Sequence, residues 1–175
     1  MLIQNYGLFW ERSRIYFGAP KSPGHLKGIL AGAKKSKPID FRMQQGVYCL
    51  YDEVFQLVYI GQAGGKNTHR LFDRLKRHRE DAVAARWSRF SWFGIRQVLG
   101  NRNLKAEKDV AHPKTGSILN HIEAILIAAA EPIHNRQGGR FGNEVKQYLQ
   151  FRDHDKLGPD TVGMIKDIWD KAKGD

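Results

Sequence analysis

Between residues 46 and 130 the apolar positions change period several times, and each change marks an element. From Gly46 the chain runs through Val47, Tyr48, Leu50 and Tyr51, turns at Asp52 and Glu53, and becomes apolar again over 57–60. Aromatic and β-branched residues on either side of an acidic turn predict a β-hairpin. Gly64 and Gly65 follow as a flexible loop. Asn67 or Thr68 then offers a cap for a helix to about Ala85, with Leu71, Leu75 and Val83 along one face. Residues 90–98 alternate as a third strand. A polar excursion over 99–114, with His112 and Pro113 near its end, leads to Thr115, Gly116 and Ser117. These cap a helix that stays apolar to Ala130, and Pro132 stops it. Beyond a glycine-rich loop at 138–142, short helices are expected at 143–152 and 162–172. No internal repeat or low-complexity tract interrupts the chain.

Upstream of Gly46 the texture differs. Residues 1–42 carry Arg12, Arg14, Lys21, Lys27, Lys34, Lys35, Lys37 and Arg42 against Glu11 and Asp40, and Pro20, Pro23 and Pro38 break them. A basic, mostly irregular N-terminal arm is expected after a short apolar start at 8–17. The expected organisation is therefore an arm at 1–42, a core at 43–140 and a helical extension at 141–175.

Composition narrows the function classes. With 41% hydrophobic and 11% aromatic residues among 175, the chain can bury a real core. Its 29 Lys and Arg against 18 Asp and Glu leave a formal +11. That excess suits a polyanion, because each neutralised phosphate releases a condensed counterion. Cys49 is the only cysteine, so no intrachain disulfide and no cysteine-based zinc site can form. A reducing cytoplasm is the expected location. No stretch approaches the roughly 18 apolar residues of a membrane span.

The chemistry-bearing residues stand in a recognisable order. Gly46-Val47-Tyr48 and Tyr59-Ile60-Gly61 lie at hairpin spacing, ten residues between the tyrosines. Leu71, Arg74, Leu75 and His78 follow on the predicted helix, where residues four apart share a face, so Arg74 and His78 point together. Glu123 lies in an Ile-Glu-x-x-Leu-Ile stretch, followed by Pro132 and Asn135. This order, over about half the chain, resembles the GIY-YIG endonucleases. Between Tyr59 and Arg74 the chain is a few residues longer than in compact members, with Gly64, Gly65 and Lys66 as the insertion. Arg70 lies nearer the usual distance, whereas Arg74 has both flanking matches.

The resemblance implies an α/β fold, a small, mainly antiparallel three-stranded sheet flanked by helices. It also implies metal-dependent hydrolysis of DNA, leaving 3′-hydroxyl and 5′-phosphate ends. Tyr48 resembles the tyrosine that takes the proton from water; Tyr59 would orient water or phosphate and His78 relay the proton. Arg74 would clamp the phosphate with paired hydrogen bonds. Glu123 would hold one Mg²⁺ or Mn²⁺, since hard divalent ions prefer carboxylate oxygen. Asn135 would anchor the helix end. An unperturbed tyrosine titrates near pH 10, so Tyr48 needs help to act as a base.

Around these residues, Lys34, Lys35, Lys37, Lys66, Arg70, Arg77, Arg136 and Arg140 are the expected phosphate contacts. Trp10, Tyr16 and Phe17 of the arm could stack on an unpaired base. Residues 61–68 only superficially resemble a P-loop, because Lys66 is followed by Asn67 instead of a hydroxyl. His112, His121 and His134 are spaced too widely to share adjacent helical turns. The alternative to a nuclease is a nucleic-acid-binding module without turnover. Among nuclease roles, a freestanding chain with a basic arm leans towards restriction or defence, and two-strand cutting calls for a homodimer on DNA or sequential nicks.

Overall fold

The computed structural model describes residues 2–33, 36–64, 69–106, 115–130 and 141–151, without the side chains of 115–120 and 123. In chain order the elements are β1 (Asn5–Glu11), β2 (Tyr16–Ala19), β3 (Ser22–His25), β4 (Lys27–Leu30), β5 (Ile39–Asp40), β6 (Gly46–Tyr51) and β7 (Leu57–Ala63). Then come α1 (Leu71–Arg77), β8 (Arg89–Gly94), α2 (Thr115–Ala130) and β9 (Lys146–Gln150). Seven strands form one sheet in the order β5-β4-β9-β1-β8-β6-β7, and β2 and β3 form a separate ribbon. The β1–β9 pair is parallel, and the other pairs in the sheet are antiparallel.

The expected three-stranded sheet flanked by helices is therefore incorrect: the fold is mostly strand, around a seven-stranded mixed sheet, with two α-helices among the described residues. Two misreadings account for the difference. The stretch at 1–42 is not irregular, because β1 zips onto β8, with a bulge between Gly7 and Trp10. Strand β4 takes its place further out. Over 143–151, the described part of the helix expected at 143–152, no helix forms; β9 fills the gap between β1 and β4. A β1 without β9 would leave a row of unpaired amides and carbonyls, a demand that outweighs the helix propensity of Lys146, Gln147 and Leu149. The indole N–H of Trp10 also donates to the Tyr148 carbonyl at 3.0 Å. The helix expected at 162–172 lies outside the described residues.

Side chains alternate across the sheet. Tyr48, Leu50, Phe90, Trp92 and Trp10 join one core with Leu71, Phe72 and Leu75 of α1. Cys49, Tyr51 and Phe93 face the other way, against Ala124, Ala128 and Ala129 of α2. The two helices thus cover opposite faces. Trp10 is 2% exposed and packs edge-on to Trp92 at 5.4 Å, so it serves the core and cannot stack on a base. No described helix is long and apolar enough to cross a membrane.

Helix α1 stops at Arg77 rather than near Ala85. At its start the Asp73 carboxylate accepts from the Arg70 N–H at 2.9 Å. At its end the Arg79 and Glu80 amides tighten onto the carbonyls of Lys76 and Arg77, and the Trp87 indole donates to the His78 carbonyl at 2.9 Å. Those bonds satisfy last-turn carbonyls that a longer helix would have taken up itself.

Candidate active site

Tyr48 lies opposite Gly61 in the β6–β7 pair and Tyr59 opposite Leu50, so both phenols share the sheet face that α1 covers. From α1, Arg74 and the buried His78 at its C-terminal end reach the same spot, four residues apart. The Tyr48 hydroxyl lies 2.7 Å from His78 Nε2. Arg74 Nε donates to the Tyr48 hydroxyl at 3.2 Å, and its Nη2 donates to the Tyr59 hydroxyl at 3.5 Å. The Tyr59 ring meets the imidazole edge-on, 4.7 Å between centroids. Four residues from three elements are therefore joined into one hydrogen-bonded cluster.

The two glycines of the paired tripeptides have distinct steric reasons. Gly46 has φ +146°, and a Cβ there would run into the Phe93 carbonyl of β8. A Cβ on Gly61 would strike the Tyr48 hydroxyl and ring and come within 2.7 Å of Tyr59 Cε1. Both tyrosines lean over Gly61 because nothing stands there.

Electrostatics follow from burial. Removal from water pushes the Tyr48 phenol up to about 12, although its hydrogen bond from Arg74 pulls the other way. Burial holds the His78 imidazole below its ordinary value, opposed by its bond to Asp81 and reinforced by the charges of Arg74 and Arg77. The Arg74 guanidinium is pushed up, chiefly by its bond to the Tyr48 oxygen. At neutral pH the cluster holds a protonated phenol, a neutral imidazole and a cation.

Asp81 is the member that the spacing arguments missed. Its Oδ2 lies 2.6 Å from His78 Nδ1. The signal was a carboxylate three residues after the histidine, hidden because the helix was expected to run through it.

The remaining predicted residues are placed unevenly. Glu123 sits on α2, which packs on the far face of the sheet from α1, and its side chain lies outside the described residues. Asn135, Lys34, Lys35, Lys66, Arg136 and Arg140 also lie outside them. Arg70 and the exposed Arg77 flank Arg74 along one side of α1, and Lys37 is exposed beside β5. Of the two arginines considered for the phosphate clamp, Arg74 is the one bonded to the tyrosines. His121 is engaged structurally, its Nδ1 accepting from the Ile3 amide at 2.7 Å. On the other side of α1, a groove of about 820 Å³ runs along the β2–β3 ribbon, lined by Lys21, Arg42, Lys76 and Arg79 with Phe17 and Phe72.

Among the described residues no group of three or more His, Cys, Asp or Glu is gathered as a metal site. The carboxylate bonded to the cluster, Asp81, gives one oxygen to His78 and the other to the Val83 amide at 3.0 Å. The described side chains alone therefore do not frame a divalent-ion site. No family model matches this chain, and neither a curated protein nor a solved structure matches it.

Proposed function

We propose that this chain is a GIY-YIG-type endonuclease that hydrolyses phosphodiester bonds in DNA. The observation that carries the reading is the bonding of Tyr48, Tyr59, Arg74 and His78 into one cluster beneath a basic helix face. Hydrolysis of a phosphodiester needs a proton acceptor for water and a cation for the phosphoryl oxygens. With its phenol pushed up to about 12, Tyr48 cannot wait as a phenolate. It takes a proton from water only as it passes its own to Nε2 of His78. Arg74 binds the phosphate, and because it lies against the Tyr48 hydroxyl, a phosphate that draws the guanidinium outward uncovers that hydroxyl. Arg70, Arg77 and Lys37 extend the cationic ground for the backbone, with Lys34, Lys35, Lys66, Arg136 and Arg140 as further contacts. The resemblance adds Mg²⁺ or Mn²⁺ at Glu123, a residue that α2 carries on the far face of the sheet from the Tyr48 cluster. Removing the ion and removing Glu123 are therefore separate tests of whether it serves the phosphate. A cytoplasmic restriction or defence role, with a homodimer or sequential nicks for two-strand cuts, belongs to the same proposal.

Purified protein with Mg²⁺ or Mn²⁺ is expected to nick or cut plasmid DNA, and EDTA or Glu123→Ala to abolish cutting. Activity that persists in both would remove Glu123 and its ion from the site. Because His78 must be neutral to accept a proton, the rate should fall as pH drops through its titration. The midpoint should lie below the ordinary imidazole value, since burial depresses it. A rate that rises as the pH is lowered, or that falls with a midpoint at or above the ordinary imidazole value, would contradict the role of the buried His78 as acceptor.

The second reading is a nucleic-acid-binding module without turnover. It is favoured by the complete burial of Tyr48 and by the packing of α2 on the far sheet face. Salt-sensitive DNA binding with no cleavage under any divalent ion would select it.

A further inference from the structure

We propose that Asp81 is a positioning residue for His78: its carboxylate locks the imidazole as the Nδ1–H tautomer, leaving Nε2 as the bare acceptor facing the Tyr48 hydroxyl. The role in cleavage rests on the nuclease reading above; the tautomer lock does not.

With the imidazole neutral and the carboxylate ionised, the geometry admits one assignment of protons. An ionised carboxylate can only accept, so the 2.6 Å contact between Asp81 Oδ2 and His78 Nδ1 places a proton on Nδ1. A neutral imidazole then has no proton on Nε2, and at 2.7 Å the Tyr48 hydroxyl must donate to it. The Tyr48 oxygen is left to accept, and Arg74 Nε–H donates to it at 3.2 Å. Donors thus run in one direction, from Arg74 through Tyr48 and His78 to Asp81, and every member is satisfied. The opposite tautomer would set Nδ1 and the carboxylate lone pair to lone pair, in a site where burial makes an unmade hydrogen bond costly.

The surroundings hold Asp81 in place for this. Its Oδ1 accepts from the Val83 amide at 3.0 Å, and its carbonyl accepts from the Ala84 amide at 2.9 Å, closing the turn. The Trp87 indole fixes the carbonyl of His78. Both ends of the Asp81–His78 contact are therefore tied to backbone, and the Asp81 carboxyl stays ionised, held below its usual range. The charges acting on the imidazole are Asp81, which favours its cation, and Arg74 and Arg77, which oppose it. Without Asp81 the two cations oppose a positive imidazole with no counterion. A carboxylate on Nδ1–H is a general means of setting both the tautomer and the orientation of a catalytic histidine.

Asp81→Asn keeps the shape and the oxygen for Val83 but can offer N–H₂ to Nδ1, which favours the Nε2–H tautomer. The experiment is a ¹⁵N–¹H correlation spectrum of the histidine rings in the full chain, at a pH where His78 is neutral, assigned with His78→Gln. Wild type should show a pyrrole-like Nδ1 and a pyridine-like Nε2 for His78, and Asp81→Asn should lose that pattern. On plasmid DNA, Asp81→Asn should lower kcat by about 10²-fold or more with KM unchanged, within the range for a misdirected general base. Asp81→Glu should restore part of the rate. An Nε2–H tautomer in wild type, a pattern unchanged in Asp81→Asn, or wild-type kcat in that variant overturns the proposal. If wild type shows the Nδ1–H pattern but cuts no DNA, the lock stands and the nuclease reading falls.

Discussion

Tyr48→Phe is expected to lower the rate of DNA cleavage by about 10²- to 10⁴-fold, the usual worth of a general acid–base group. The phenyl ring fills the same space on the α1 face of the sheet, so β6 and its register with Gly61 and Trp92 should persist. What disappears is one oxygen that serves two partners. His78 Nε2 loses its donor in a buried setting, and Arg74 Nε its acceptor in a partly buried one. Leaving such groups unmatched costs about 1–3 kcal/mol each at most. For a chain of this size that lowers Tm by several degrees, at roughly 2–4 °C per kcal/mol. The rate should therefore be measured well below the melting range of the variant, with Tyr59→Phe alongside. Tyr59 receives only a 3.5 Å bond from Arg74 and should cost less. Cleavage by Tyr48→Phe at the wild-type rate would eliminate Tyr48 as the proton acceptor.

Gly61→Ala should be nearly as damaging, though it adds only a methyl group. That carbon would occupy the space of the Tyr48 hydroxyl and ring edge and crowd Tyr59. Tyr48 is fully buried and has nowhere to move without breaking its 2.7 Å bond to His78. Overpacking of this kind costs about 1–3 kcal/mol. A displacement of about 1 Å in a reacting group can cost on the order of 10²-fold in rate. The variant should fold, melt a few degrees early and cleave about a hundredfold more slowly. Gly100→Ala is the control, because no atom lies within 4 Å of its added Cβ and Tm should not change. If Gly61→Ala retains the wild-type rate, the tyrosine pair tolerates movement and is not the reacting group.

Much of the local structure could be read from side-chain order. Alternation placed the hairpin of β6 and β7, and capping residues with Pro132 placed α2. The three-to-four periodicity put Arg74 and His78 on one side of α1. These are short-range properties: strand pleat, helical turn and capping act within a few residues. The same rules failed at 1–42 and 143–152, where prolines, lysines and a helix-compatible run suggested an arm and a helix. Strands β1, β4 and β9 exist because distant backbone segments satisfy one another's hydrogen bonds, and no local pattern carries that information. Asp81 was missed for a related reason. Its role depends on where α1 stops, and the stop is set in part by Trp87, nine residues past His78.

The sequence alone therefore determined the residue types available for chemistry, their order and the local elements that carry most of them. It also determined a charge suited to a polyanion. Tertiary structure decided the rest: a seven-stranded sheet in place of three strands, α2 on the far face from α1, and a chain of hydrogen bonds from Arg74 through Tyr48 and His78 that ends on Asp81. The physical reason is range. Helical and pleated periodicities act over three or four residues, whereas sheet completion and the burial that shifts Tyr48 and His78 arise only when segments remote in sequence meet.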